Sequence, residues 1–231
     1  PKVLRTAQGR GAQGRGLAVA GPREPGGGTA LLVVLEREVQ AWRRGPSPRL
    51  LARGERGEES LAEDGRHVCA RWCEARRTLV VLAERGVLFY YGLRDHAPRG
   101  LEVYLKQAVD ARPGAAAVVD FVCDGRTVLL LTAAGAVLRR SWQGEDRGAL
   151  HPFPPGGGAG AGGEGPGGGF ATLTYSKALG MLAAVTEAGA CGLLRAAADG
   201  SLKRVDFWRW VPLGGLEATH VAFNDLSNLL S

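Results

Sequence analysis

The sequence predicts an all-β fold of repeated antiparallel sheets, and three observations carry this prediction. Three stretches share one pattern of apolar strand, polar turn, stronger apolar strand, short turn ending in Gly, and third strand. They are residues 68–92, 118–142 and 170–194. Their shared glycines, at Gly86, Gly135 and Gly189, are 49 and 54 residues apart. A period near 50 residues with several short strands per unit is typical of β-propeller blades.

The central apolar runs are strands rather than helices. They are LLVVL, TLVVLA, TVLLLTA and MLAAV, only five to seven residues long, and Gly or charged turns close them. Their lack of apolar/polar alternation predicts that both faces of each strand are buried. This is expected for propeller blades, each of which packs between two neighbouring blades, and also for the strands of a parallel α/β sheet. The turns before the shared glycines leave room for a hairpin and none for a crossover helix, so the strands are expected to be antiparallel.

The segments before the first repeat follow a weaker pattern. Residues 1–28 are basic and Gly/Arg-rich, and we expect a disordered segment or a surface loop there. Residues 29–42 contain two strands ending on Trp42, which predicts the rear half of a blade whose front half is weak or missing. Residues 43–66 are expected to form a charged connector.

The outer strand of each blade should lie between the repeats. The candidates are residues 101–105, 151–153 and 203–211, and the first of these could instead form a short helix. The resulting blades span about residues 29–66, 67–112, 117–155 and 170–212, with 156–169 a flexible Gly-rich insertion and the start of a further blade at 219–231. About four antiparallel blades of three to four strands give a partial propeller with an incomplete ring.

The ends of the chain and its charge shape the expected context. The chain begins with Pro1 and its only Met is Met181, so we expect a piece of a longer protein. The net charge is +6, but residues 1–54 hold 10 Lys/Arg against 3 Asp/Glu, so the remainder is nearly neutral. No apolar run approaches the ~20 residues that span a bilayer.

Motif searches predict no catalytic, cofactor or metal site. The sequence has no nucleophile elbow, P-loop or zinc-protease motif, and the Gly-rich tract at 156–169 lacks the βαβ unit that a dinucleotide loop needs. His67, Cys69 and Cys73 could converge with His96 on a metal. The spacing of the two cysteines is not that of a metal knuckle, and we expect the four cysteines, Cys123 and Cys191 included, to be buried free thiols.

Aromatic and arginine residues supply the candidate partner-binding surface. A predicted outer strand carries Phe207, Trp208, Arg209 and Trp210, with aromatics on both faces, and Trp and Arg are enriched in binding hot spots. The alternative is that a neighbouring segment covers them.

Two further groups of residues raise the same question. Arg139 and Arg140, beside Trp142, could form a rim contact, the alternative being a solvated edge. For Phe89, Tyr90 and Tyr91, packing between blades is favoured over a binding role.

The repeats resemble a known family. The stretches RTLVVLAERGVLFYYGL (77–93), TVLLLTAAGAVLRRSW (127–142) and TYSKALGMLAAVTEAG (174–189) are similar to the WD40 propellers of intraflagellar transport complex A subunits. The likeness is to the later blades of the first propeller of the 140-kilodalton component, and residues 211–231 match the restart of its next blade. The chain departs from the standard WD pattern because it has no Gly-His and no Trp-Asp pair.

The resemblance implies a non-enzymatic scaffold without a cofactor. The expected partners are other complex A subunits, transport-train proteins and ciliary membrane cargo adaptors, in retrograde transport and cargo entry. The expected locations are the cilium or flagellum, the basal body and the cytoplasm. Alternatives are a WD-repeat scaffold of another ciliary or coat complex, a nucleic-acid-associated protein tethered by the basic arm, or an enzyme of propeller fold.

Overall fold

The computed structural model shows an almost entirely β-stranded protein. It describes residues 17–23, 29–43, 46–96, 100–112, 117–123, 125–133, 136–150, 170–176, 180–186, 190–196, 202–204, 211–212, 223–224 and 229–230. The chain divides into two compact units, Pro1–Ala111 and Arg112–Ser231. The all-β prediction is confirmed, and so is the prediction of about four antiparallel sheets.

The first sheet of the first unit is a four-stranded meander. Its strands are β1 (Leu17–Arg23), β2 (Thr29–Val34), β3 (Glu38–Arg43) and β4 (Arg49–Glu55), and each is antiparallel to the next. The prediction of a loop over residues 1–28 is therefore wrong for β1, and the front half of the blade, predicted to be weak or missing, is present as this strand. The short apolar patch in β1 is a weak signal by itself, but pairing with the apolar strand β2 satisfies its backbone.

A short connector leads to the second sheet. It contains the helix α1 (Glu58–Asp64), which lies inside the segment predicted as a charged connector. The second sheet comprises β5 (His67–Cys73), β6 (Thr78–Ala83), β7 (Val87–His96) and β8 (Gly100–Asp110). All six residues of β6 are buried, as expected for a strand covered on both faces. Gly86, in the turn before β7, has φ +82°, a conformation that favours glycine.

The hairpin of β7 and β8 extends beyond the rest of its sheet. Cα partners run from Val87 with Asp110 to His96 with Gly100, whereas β6 pairs only with the Leu88 to Tyr91 portion of β7. We call residues 92–96 and 100–104 the hairpin arm. Residues 101–105 are thus part of a strand, and the alternative of a short helix is wrong.

The two sheets of the first unit stack as propeller blades do. The first strands, β1 and β5, lie beside each other, and the fourth strands, β4 and β8, do likewise. Both sheets contribute to one buried apolar cluster, which the arm residues Leu93, Leu101 and Val103 extend. The buried members are Leu32, Val34, Val39, Ala41, Leu79, Val81, Ala83, Val87, Phe89, Tyr91 and Val103.

The second unit repeats this architecture. Its first sheet comprises β9 (Val118–Cys123), β10 (Thr127–Thr132), β11 (Val137–Ser141) and β12 (Asp146–Leu150). Its second comprises β13 (Phe170–Ser176), β14 (Met181–Thr186), β15 (Ala190–Ala196) and β16 (Leu202–Arg204), with β17 (Val211–Pro212) also paired to β15. The first strands, β9 and β13, are again adjacent. Thr172 Oγ1 donates a hydrogen bond of 2.9 Å to buried Asp120 across them.

Several predicted features lie at the edges of what the structure describes. The outer strand of the third sheet is β12, which ends before the predicted outer strand at 151–153. Several predicted features lie outside the described residues: residues 151–153, the shared glycines Gly135 and Gly189, and the insertion at 156–169. Within residues 219–231, which are predicted to start a further blade, β18 (Phe223–Asn224) pairs with β19 (Leu229–Leu230). In the described ranges, no helix has the length and apolar character needed to span a bilayer.

Candidate functional site

The structure describes the strands on either side of the predicted aromatic surface. Phe207, Trp208, Arg209 and Trp210 lie outside the described residues. The strands on either side of them, β16 and β17, both pair with β15. The partner-binding role of these residues stays a prediction.

Arg139 and Arg140 lie on β11 in different environments. Arg139 is half-buried, whereas Arg140 is only 8% exposed and its Nη1 lies 2.6 Å from Asp146 Oδ1 on β12. The alternative of a solvated edge is therefore wrong for Arg140, because its charge is neutralised within the sheet. Its predicted rim contact with a partner is not tested by these contacts. Trp142 beside them is buried.

The most elaborate group of polar side chains lies where the first two sheets meet. We call it the interblade junction and define it as Arg56, Ser60, Asp64, His67, Phe89 and Tyr91. Three local features converge there: the turn between β2 and β3, the connector that carries α1, and the aromatic residues of β7. The described backbone links them, since Arg56 N–H donates to Arg37 O and His67 N–H donates to Glu36 O, both at 2.9 Å.

Arg56 is the buried cation of the junction. Its side chain is 4% exposed and its guanidinium carbon lies 4.1 Å from the centre of the Phe89 ring. The guanidinium donates to the main-chain oxygens of Gly65 and Ser60 at 2.7 Å each, and to Ser60 Oγ at 2.9 Å. Asp64 Oδ2 lies 3.3 Å away. Burial lowers the pKa of Arg56, while Tyr91 and Asp64 act in the opposite direction. The guanidinium of Arg56 is thus hydrogen-bonded to several groups of the loop that contains α1.

His67 joins the turn of the first sheet to the start of the second. Its Nδ1 lies 2.8 Å from Leu35 O, and its Nε2 lies 3.5 Å from Tyr91 Oη. The imidazole packs edge-on against Phe89 and Tyr91, with ring centroids 6.0 and 6.2 Å away. Burial lowers the pKa of His67 to about 4, the Leu35 hydrogen bond opposes this, and the Arg56 charge lowers it further. Burial also raises the pKa of Tyr91 to about 12.

The rim of the junction carries exposed ion pairs. Arg37 contacts Glu55 at 2.8 Å and Glu58 at 2.9 Å, and Arg66 contacts Glu36 at 3.2 Å. Arg66 N–H also donates to Glu84 Oε2 at 3.0 Å. Exposed pairs of this kind each contribute about 0–1 kcal/mol, so the buried part of the junction dominates its energetics.

The aromatic residues of β7 have a packing role. Phe89, Tyr90 and Tyr91 are 3%, 1% and 5% exposed, so all three are buried, and Phe89 and Tyr91 belong to the apolar cluster that the first two sheets share. Phe89 and Tyr91 stack at a centroid separation of 6.4 Å and line the junction. They therefore supply the apolar floor on which Arg56 and His67 lie.

The cysteines are free thiols where the structure describes them. Cys73 is buried, as predicted, whereas Cys69 and Cys123 are half-buried; the Cys191 side chain lies outside the described residues. Among the described residues, no three or more His, Cys, Asp and Glu side chains lie close enough together to hold a metal ion. His67 instead directs its ring nitrogens at Leu35 and Tyr91, and the His96 side chain is not among those described.

Sequence reasoning missed the junction. Arg56 lies in the run GERGEES, which has the composition of a solvated charged loop. Its burial, its hydrogen bonds to Gly65 and Ser60 and its contact with Phe89, 33 positions later in the chain, distinguish it from the exposed arginines nearby. The sequence signal nearest to the junction is Gly65 itself, because a glycine just after a helix commonly takes a positive φ; here φ is +79° and the Gly65 carbonyl accepts a hydrogen bond from Arg56.

Comparison with protein-family models gives no match to this chain, and comparison with curated proteins gives none either. The class of protein therefore follows from the fold. In the residues that the structure describes, the chain is an almost entirely β-stranded protein of consecutive antiparallel, propeller-like sheets, and a hydrogen-bonded polar junction lies between the first two.

Proposed function

We propose that this chain is a non-enzymatic protein-interaction scaffold of propeller type. The single observation that carries the proposal is the repeated stacking of four-stranded meanders, first strand on first strand, in both units. Such stacking produces a rigid body whose loops and outer strands are available to partners. The interblade junction supports this function, since its polar groups are used to hold sheets together.

Within that class, the finer proposal is a subunit of intraflagellar transport complex A, acting in retrograde ciliary transport and cargo entry. It is supported by the similarity of residues 77–93, 127–142 and 174–189 to that family. Its partners would be other complex A subunits, transport-train proteins and membrane cargo adaptors, at the cilium and basal body. A WD-repeat scaffold of another ciliary or coat complex is the nearest alternative.

Co-purification tests the partner assignment. The chain, expressed with tagged complex A subunits, should co-purify with at least one of them in stoichiometric amount at 0.15 M salt, roughly physiological ionic strength. The double change Trp208→Ala/Trp210→Ala should lower the recovered amount about tenfold or more, because truncating hot-spot aromatics costs 2 kcal/mol or more. Val68→Ser, at a position 43% exposed on β5, which is not an outer strand, is the matched surface control and should leave recovery unchanged.

Two outcomes would overturn parts of this proposal. Failure of the folded wild-type chain to bind any complex A subunit would exclude the family assignment while leaving the scaffold class standing. A large drop in the unfolding temperature of the double variant would show that the two tryptophans belong to the core rather than to a partner surface.

A further inference from the structure

His67 is positioned so that its side chain connects the first sheet to the second. It is the first residue of β5, in the second sheet, and its imidazole reaches the Leu35 carbonyl in the turn that follows β2 of the first sheet. Its own backbone N–H donates to the Glu36 carbonyl of the same turn. Residue 67 therefore spans the boundary with both its main chain and its ring, and it is only 8% exposed.

The hydrogen bonds assign the proton of the neutral ring. A carbonyl oxygen only accepts, so Nδ1 carries the hydrogen that is donated to Leu35 O at 2.8 Å. Nε2 is then the acceptor, and it faces the Tyr91 hydroxyl at 3.5 Å. The junction accommodates a neutral imidazole, and a second proton can enter only at Nε2, on the buried side.

The charges around the ring oppose that second proton. Arg56, from the connector, already places one buried cation beside the ring, and Asp64 is directed at Arg56 rather than at His67. From β7 the ring meets Tyr91, whose hydroxyl is neutral below a pKa of about 12. At the rim, Glu36 pairs with Arg66 and Glu84 accepts from the Arg66 backbone. An imidazolium would thus lie beside a like charge with its neighbouring carboxylates engaged elsewhere.

We propose that His67 is an acid-sensitive latch between the first two sheets, which opens locally when the imidazole takes up a proton at Nε2. Opening would release the turn after β2 from the start of β5, with both sheets still formed. This property is independent of the proposed partners. It adds a pH response to an element that otherwise serves only to hold blades together.

The direction of the pH response follows from linkage. The folded pKa of about 4 lies below the ordinary value of about 6.5, so the closed state binds fewer protons than the open state. The contribution of His67 to closure is complete above about pH 6.5 and is lost as the pH falls toward 4. For one proton the opening equilibrium approaches a tenfold rise per pH unit within that window, and the rise between pH 6.5 and 5 is about 15-fold.

Amide hydrogen exchange on the full chain tests the latch. Protection of the backbone N–H groups of His67 and Arg56 would be measured from pH 7 to 5 in wild type and in His67→Asn. The asparagine amide can donate to Leu35 O but does not titrate, so the ratio of the two proteins removes the intrinsic pH dependence of exchange. Between pH 7 and 5, wild type should lose about 20-fold more protection at these amides than the variant.

Controls separate the latch from general acid unfolding. His96→Asn should behave as wild type, and the amides of β10 and β14 in the second unit should show no excess loss. Equal pH dependence in wild type and His67→Asn, or equal loss throughout both units, would overturn the proposal. An NMR titration of the His67 ring in wild type gives a check that needs no variant: a midpoint well below pH 6 is expected, and a midpoint near 6.5 would contradict it.

Discussion

At the scale of single residues, the interblade junction shows how a charged side chain becomes part of a β core. Arg56 is retained because its guanidinium meets two carbonyls, a hydroxyl and a carboxylate while its flat face covers Phe89. Burial of an unpaired charge would cost several kcal/mol, and these contacts offset that cost. The exposed pairs of Arg37 contribute far less each.

We therefore expect Arg56→Met to destabilise the chain by about 3 kcal/mol. Methionine keeps the apolar stem but removes the guanidinium from the Gly65 and Ser60 carbonyls and from the Asp64 carboxylate, which then keeps the hydrogen bond from Ser60 Oγ. Arg53→Met is the matched control, since Arg53 is exposed on β4 three positions earlier and its change should stay within about 0.5 kcal/mol. Urea unfolding followed by circular dichroism measures both; equal effects would remove Arg56 from its structural role.

Residue environments were predictable from the sequence only where the pattern is local. Burial of Phe89, Tyr90 and Tyr91 follows from an uninterrupted apolar strand, and it is confirmed. The roles of Arg56 and His67 depend on contacts between the connector, a turn of one sheet and a strand of the next. No periodicity in the chain encodes such a meeting, so these residues resemble ordinary loop and strand-edge residues.

At the scale of elements, the connector α1 is bounded by two glycines with different demands. Gly57, before the helix, has φ −68° and ψ 157°, which other residues adopt, and a Cβ there would meet nothing within 4 Å. Gly65, after it, has φ +79° and ψ −172°, and its Cβ would lie 2.8 Å from Glu84 Cβ. The left-handed end of α1 directs the Gly65 carbonyl to Arg56.

Gly65→Ala should consequently destabilise the chain by about 2 kcal/mol or more, because both the backbone strain and the clash with Glu84 must be relieved. Gly57→Ala should change the free energy of unfolding by no more than about 1 kcal/mol, because Gly57 is the N-cap of α1, where glycine is preferred to alanine, and its φ and ψ suit both residues. Thermal unfolding of the two variants under identical conditions makes the comparison. Similar losses for both would show that the turn after α1 does not constrain the junction.

The strands that could be predicted from the sequence and those that could not differ in how they are stabilised. The central strands are continuous apolar runs and were predictable, whereas β1 depends on pairing with β2. The hairpin arm is polar on one side, where Arg94 lies 4.4 Å from the centre of the Tyr104 ring, and apolar on the other. The sequence predicts that the third strand ends at Gly92. A Cβ at this position would clash with Tyr104 and Lys106, so the glycine allows the hairpin arm to continue rather than ending the strand.

At the scale of the whole molecule, each unit contains two antiparallel sheets whose first strands lie side by side, and in the first unit the fourth strands are also adjacent. The contact of β4 with β8 places the outer strands together, and Val103 of the arm lies against Gly54 of β4. The pairing of first strand with first strand and fourth strand with fourth strand distinguishes blade-like stacking from a β-sandwich, in which the strands of the two sheets are aligned differently. The proposed scaffold function depends on it, since a partner surface on outer strands requires that those strands be held in register.

An engineered disulfide tests this stacking most directly. A Cβ at position 54 would lie 3.5 Å from Val103 Cβ, within the range that a disulfide spans. The double variant Gly54→Cys/Val103→Cys should therefore form a link between the two introduced cysteines on mild oxidation, detected by non-reducing peptide mass spectrometry. Gly57→Cys/Val103→Cys, with open space around position 57, should not. If the first pair stays reduced in the folded chain, or links only to Cys69, Cys73 or Cys123, the blade-like stacking is contradicted.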